Sequence, residues 1–207
     1  MGLTATDSGG GSFEKIPEGT HIARCVQVVD LGTQYSTYYE KSSHKVMIGW
    51  EIPAVHHEYQ GEVKPALIWN RYTVSLHENS NLRKDLEAWR GRQFTDAELA
   101  GFDVETVAGV ECMLSVIHDP GGKYVNVGSV MAMPKGTVCP DQVNPTVIFN
   151  LDNWNQEVFD TFSDNLKNTI NKSEEIAGPR EAPQRHPATE SQLPPHGEHP
   201  PDDEVPF

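Results

Sequence analysis

The spacing of apolar residues changes twice along this chain, and that change limits the fold more than any other feature of the sequence. In "THIARCVQVVDL" (20–31), "HKVMIGWEIP" (44–53) and "PALIWNRYTVSL" (65–76), apolar and β-branched residues recur at about every second position. In "HENSNLRKDLEAWRG", Leu82, Leu86 and Trp89 recur at four and three. In "VECMLSVIHDPGGKYVNVGSVMAMP" the period of two returns on both sides of Asp119-Pro120-Gly121-Gly122. A period of two marks a half-buried strand, and one near 3.6 marks an amphipathic helix. The order is therefore three strands, a helix over 79–91 and a two-strand hairpin. Asn79 or Ser80 can cap the helix, and Gly91 can end it.

Five strands with one helix between the third and fourth is the element order of an OB-fold barrel. Closure also removes exposed strand edges in a domain of this size. Another small antiparallel α+β fold is the alternative. The expected fold is mainly β: a five-stranded OB-fold-like barrel, followed by short helices and a disordered acidic tail. Within it, "TQYSTYYEKSS" reads as a loop and Pro53 as the end of the second strand. "AVHHEYQGEVK" reads as a connection turning at Gly61, and "TDAELAGFDVETVAG" as one or two short helical turns.

Composition divides the 207 residues further. Only 37% are hydrophobic, against roughly 45–50% in a fully packed chain. Residues 1–12 are a Gly/Ser/Thr leader, expected to be flexible, and 13–135 hold the barrel. In 136–175 a stripe runs through Trp154, Val158, Phe162, Leu166 and Ile170, so short helices are expected there. The stripe can be buried on the barrel or on a second copy, which would make the protein a homo-oligomer. From 176 to 207 the chain is rich in Pro, Glu, His and Ser, and cannot offset its ordering entropy. The net charge of −14 is uneven, with −9 of it carried by 136–207. Such asymmetry marks an acidic tail and leaves room for a local basic groove on the barrel.

Cys25, Cys112 and Cys139 lack metal spacing and fit a reducing cytoplasm, with Cys25 and Cys112 as core thiols. No apolar run is long enough for a membrane span. No phosphate-loop, zinc-protease or nucleophile-elbow motif occurs, so the chain reads as a non-enzyme without a cofactor. His56-His57-Glu58 is a weak metal candidate, because neighbours in an extended chain point apart and no second cluster accompanies them; no metal site is expected.

Tyr35, Tyr38 and Tyr39 lie beside Lys41 and Lys45, and exposed rings interleaved with bases are what single-strand binding needs; the alternative is that the tyrosines are strand residues that pack locally. In the third strand Trp69, Arg71 and Thr73 share one face, with Ile68, Asn70, Tyr72 and Val74 on the other. Trp69 and Arg71 make a stacking and phosphate pair if their face is the binding one. The alternative is a core Trp69 and a solvated Arg71. Trp50 shares its parity with Val46, Ile48 and Ile52 and reads as core. Lys123 and Tyr124, at the hairpin turn, resemble the tip of a clamping loop.

The last residues, Asp202, Asp203, Glu204, Val205, Pro206 and Phe207, resemble the acidic tip of bacterial single-stranded DNA-binding proteins. Residues 13–134 resemble a phage group of such proteins in "IPEGTHIARCVQVVDLGTQ", "SNLRKDLEAWRGRQF" and "NVGSVMAMPKG". The resemblance implies an OB-fold that coats single-stranded DNA, in the host cytoplasm for a phage-encoded protein. It also implies a tip that recruits enzymes of replication, recombination and repair, its Phe207 ring entering a partner's pocket. The chain departs from the cellular family in its own barrel sequence and in the insert over about 140–172, so tetramer formation and wrapping do not carry over. Two other readings stand beside this one: an adaptor that uses the tip without binding DNA, and an RNA-binding or nuclease-related β protein.

Overall fold

The computed structural model describes residues 15–59 and 61–178. The leader over 1–12 and most of the tail, with the tip at Asp202–Phe207, lie outside the described residues.

The fold is mainly β, as the alternating runs predict. Strands β1 (Gly19–Ser36), β2 (Lys41–Tyr59), β3 (Glu62–Thr73), β4 (Glu111–His118) and β5 (Val125–Met131) form an antiparallel path in the order β3-β2-β1-β4-β5. A sixth strand, β6 (Val147–Phe149), pairs in parallel with β1. The sheet is open, with no ladder between β3 and β5 among the described residues. The first half of β1 pairs with β4, Gly19 opposite Val116 and Arg24 opposite Glu111. β6 continues along that edge at Gln27–Val29 and covers backbone groups that would otherwise lie unpaired.

Two expected boundaries are corrected. The stretch read as a loop after residue 31 is strand on both sides of a turn at 37–40, with Ser36 opposite Lys41 and Tyr35 opposite Ser42. β2 does not stop at Pro53. It runs on to Tyr59, and the register shifts between Ile52 and His56, so the proline sits in a bulge where its missing N–H costs no ladder bond. The connection expected at 54–64 is therefore mostly strand.

Between β3 and β4 lie α1 (Asn81–Arg90), α2 (Asp96–Ala100) and a single 3₁₀ turn (Val104–Val107). Helix α1 buries Leu82, Leu86 and Trp89, the three residues of its apolar spacing. Gly91 ends it in the left-handed conformation that a glycine adopts without strain. Trp89 Nε1 donates to Glu111 O at 2.7 Å, and Tyr72 Oη to Asp85 Oδ2 at 2.7 Å, which ties α1 to β4 and β3.

The sheet has two packed faces. On the inner face Val28, Ile48, Trp50, Ile52, Ile68, Tyr72, Leu114 and Val130 form the main core with α1. Burial pushes the Cys25 thiol up to about 12 and raises Cys112 as well, so both are inert core thiols. On the outer face Val29, Leu31 and Met47 pack against Phe149, Phe159, Phe162 and Ile170. These come from β6, α3 (Gln156–Asp160), the α3–α4 junction and α4 (Asp164–Asn171). The apolar stripe of the C-terminal extension is thus buried on the chain's own sheet. Trp154 stays outside α3, and its ring stands 4.6 Å from that of Phe159.

Two devices hold the extension down. Glu51 is fully buried and accepts hydrogen bonds from Asn144 N at 2.6 Å, Asn144 Nδ2 at 2.7 Å and Val143 N at 3.2 Å. At the other end α5 (Glu174–Ala177) grips the β1–β2 arm. Glu175 accepts from Thr33 N at 2.7 Å and Thr33 Oγ1 at 2.6 Å, and Glu174 accepts from Ser42 Oγ. Burial works to raise the Glu175 carboxyl, but the two Thr33 hydrogen bonds and nearby His44 bring it below the usual carboxylate range. Gly32, at φ +66°, allows this close approach, since a Cβ there would stand 2.5 Å from that of Ser173.

Candidate nucleic-acid interface

Cross-strand pairing lines up the outer face of β1, β2 and β3 in rows. Gln27, Gly49 and Trp69 form one row, Val29, Met47 and Arg71 the next, and Gly32, Lys45 and Thr73 the third. Trp69, Arg71 and Thr73 are all exposed, while Ile68 and Tyr72 are buried. The exposed face of β3 is therefore the one that carries the tryptophan and the arginine.

The Trp69 ring is held in place. It lies over Gly49, where a Cβ would come within 2.5 Å of its Cδ1. Its Nε1 reaches across β2 to donate to Gln27 Oε1 at 2.5 Å. A glycine in mid-strand opposite a tryptophan is thus a seat for the indole. The ring remains 45% exposed. Beside it, the Arg71 guanidinium has no ion pair or hydrogen bond among the described residues. Lys45 Nζ donates to Thr73 Oγ1 at 2.6 Å in the next row.

These residues line two adjoining hollows. The larger is a groove of about 950 Å³ between the outer face of β2–β3 and the α3–α4 junction. Gln27, Lys64, Trp69 and Arg71 form one wall; Thr161, Ser163, Asn165 and Leu166 form the other. Asn144 and His57 also contribute to the lining. The smaller, of about 510 Å³, holds Lys45, Thr73, His77 and Ser80, and shares Asn70 and Arg71 with the first. Among the described residues neither lining contains an Asp or a Glu, in a chain with 30 acidic residues and a net charge of −14. Lys64 is paired with Glu62, so Arg71 is the groove cation left unengaged among the described residues.

Of the residues singled out in the sequence, Lys45, Trp69 and Arg71 come together here. Of the other residues expected to bind the strand, Tyr35, Tyr38, Tyr39, Lys41, Lys123 and Tyr124 line neither hollow. Tyr38 and Tyr39 stand at the tip of the β1–β2 arm, 85% and 75% exposed, packed edge to face on each other at 4.8 Å. Tyr35 is half-buried in β1, and Lys41 is exposed at the start of β2. Lys123 and Tyr124 form a cation–π pair at 5.2 Å on the β4–β5 turn. There Asp119 accepts the Tyr124 N–H, which holds its carboxyl below the usual range. That turn lies near the beginning of β1, and the tyrosine arm at its far end. His56 and His57 are consecutive residues of β2, and no group of three or more metal-ligating side chains occurs among the described residues.

Sequence reasoning missed Gln27, Gly49, Asn144 and the whole second wall. Gly49 could have been found, because an isolated glycine inside a strand pattern marks a close approach. The wall could not, since it lies some 90 residues from the β3 residues it faces. No helix of the described residues is long and apolar enough to cross a membrane. No protein-family model matches the chain, and no curated protein matches it.

Proposed function

We propose that this protein binds single-stranded DNA without sequence preference along the outer face of β2–β3, and recruits partner proteins of replication, recombination and repair through Asp202–Phe207. The observation that carries the first half is a groove lined, among the described residues, by no acid, with an exposed, seated tryptophan beside an arginine that has no ion pair there. A base stacks on an aromatic ring whatever its identity, and a guanidinium takes the phosphate beside it. The strand order β3-β2-β1-β4-β5, with a helix between β3 and β4, supports an OB-type barrel. In that fold the strand 2–3 face takes oligonucleotides. The second half rests on the tip sequence: an aromatic anchor with acids around it suits a hydrophobic pocket with a basic rim. The protein acts without catalysis in this reading.

The test is a titration with oligo(dT), duplex DNA and RNA of equal length. Oligo(dT) is expected to quench tryptophan fluorescence and bind tightest. Its log affinity should fall with log salt at a slope of about −1.4, for Lys45 and Arg71 at roughly −0.7 each. Deleting Phe207 should leave that titration unchanged and abolish tip-dependent capture of repair proteins. Equal affinity for all three nucleic acids would overturn the DNA reading.

A further inference from the structure

We infer that the C-terminal extension contacts the single strand directly, so that Thr161, Ser163 and Asn165 form a second binding wall opposite Trp69 and Arg71. This rests on the groove reading above and adds to it a set of residues outside the five-strand path. Three observations carry it.

The first is placement. Thr161, Ser163 and Asn165 are exposed, and all three line the same groove as Trp69 and Arg71. Their neighbours Phe162 and Ile170 are buried against Val29, Leu31 and Met47, which fixes the wall to the sheet. A strand lying on Trp69 would be enclosed on this side.

The second is charge. Residues 136–178 carry seven acids against two lysines. None of those acids lines the groove, although Asp164 stands between two residues that do. An acidic segment that presents only hydroxyls, amides and apolar groups to one hollow suits a polyanion there.

The third is chemistry. Hydroxyl and amide groups donate to phosphate oxygens and also meet base edges. The lining adds the Gln27 amide of the same kind. Asn144 Nδ2 is engaged by Glu51 and Pro65 O, and Thr161 Oγ1 donates to Val158 O, so Ser163, Asn165 and Gln27 are the donors on offer. Neutral donors facing a tryptophan and an arginine complete a site for one stacked nucleotide with its phosphate.

The test uses the full chain, fluorescently labelled oligo(dT) and three variants: Ser163→Asp, Asn165→Lys and Arg71→Ala. Ser163 caps α4 by accepting from Leu166 N. Aspartate caps equally well, and an acid there suits the helix dipole, so Ser163→Asp should keep or raise the melting temperature. Its affinity for oligo(dT) should nevertheless fall about tenfold at low salt, by repulsion of the phosphates. Asn165→Lys puts a cation in the first turn of α4, where it is unfavourable for the helix. Affinity should nevertheless rise several-fold, and the salt slope should steepen by about 0.7. Both effects run opposite to the expected effect on the fold, so a merely structural wall cannot produce them. If both wall variants stay within about twofold of wild type while Arg71→Ala loses about tenfold, the second wall is wrong and the groove stands. If Arg71→Ala is also unchanged in a chain that binds, the strand lies elsewhere and both fall. A chain that binds no oligo(dT) overturns both as well.

Discussion

Replacing Trp69 by alanine is expected to lower affinity for oligo(dT) by about five- to 150-fold while leaving the fold intact. The range follows from the roughly 1–3 kcal/mol that one base–aromatic stack contributes, at a factor of ten per 1.4 kcal/mol. The fold should survive because the ring is 45% exposed and stands outside both core clusters. Its seat is a glycine, so removing the indole uncovers Gly49 and the Gln27 amide and leaves no enclosed cavity. Anisotropy of a labelled oligonucleotide measures the affinity, and circular dichroism checks the fold. Trp69→Phe should fall between wild type and Trp69→Ala, since it keeps a ring but loses the hydrogen bond to Gln27. Wild-type affinity in Trp69→Ala would mean that no base stacks there.

Glu51→Ala is expected to give the largest loss of stability. The carboxylate is fully buried and accepts from Val143 N, Asn144 N and Asn144 Nδ2. Hydrogen bonds to a charged group contribute about 1.5–3 kcal/mol each, and a buried donor left unsatisfied costs about 1–3 kcal/mol. Because these contributions are not additive, about 2–4 kcal/mol is the expected total loss. That is a fall in Tm of roughly 5–15 °C for a chain of this size. Glu51→Gln should lose less. Its amide keeps one acceptor oxygen, but turns an NH₂ group toward donors. In both variants hydrogen exchange should quicken at Val143 and Asn144 before it does in α1, because the clamp holds the extension and α1 packs on the other face. A Tm for Glu51→Ala within about 2 °C of wild type would show that the clamp contributes little.

The sequence was most legible where one period ruled one element. Trp69, Arg71 and Thr73 fall on the exposed face of β3 because a strand alternates, and Leu82, Leu86 and Trp89 face the core because a helix does not. The β1–β2 arm was misread because what orders it is not apolar. Thr33 and Ser42 are held by Glu175 and Glu174 of α5, more than 130 residues away, and no local pattern carries that signal. Pro53 misled for a related reason: a bulge absorbs a proline that would break a regular ladder. In "CVQVVDL" Val26, Val28, Val29 and Leu31 are apolar at both parities, which marks a strand covered on both faces. That run announces an outer layer without saying what supplies it. The groove was half legible for the same reason. One wall follows from the alternation of β3, and the other arrives through long-range packing of Phe159, Phe162 and Ile170.

The central claim is that single-stranded DNA lies on the outer face of β2–β3. Photo-crosslinking of an oligonucleotide that carries 5-iododeoxyuridine, followed by mass spectrometry of the peptides, tests it most directly. The predicted result is an adduct on Trp69, removed by unlabelled oligo(dT) and by high salt. Adducts confined to Tyr38, Tyr39 or Tyr124, with Trp69 unmodified, would contradict it.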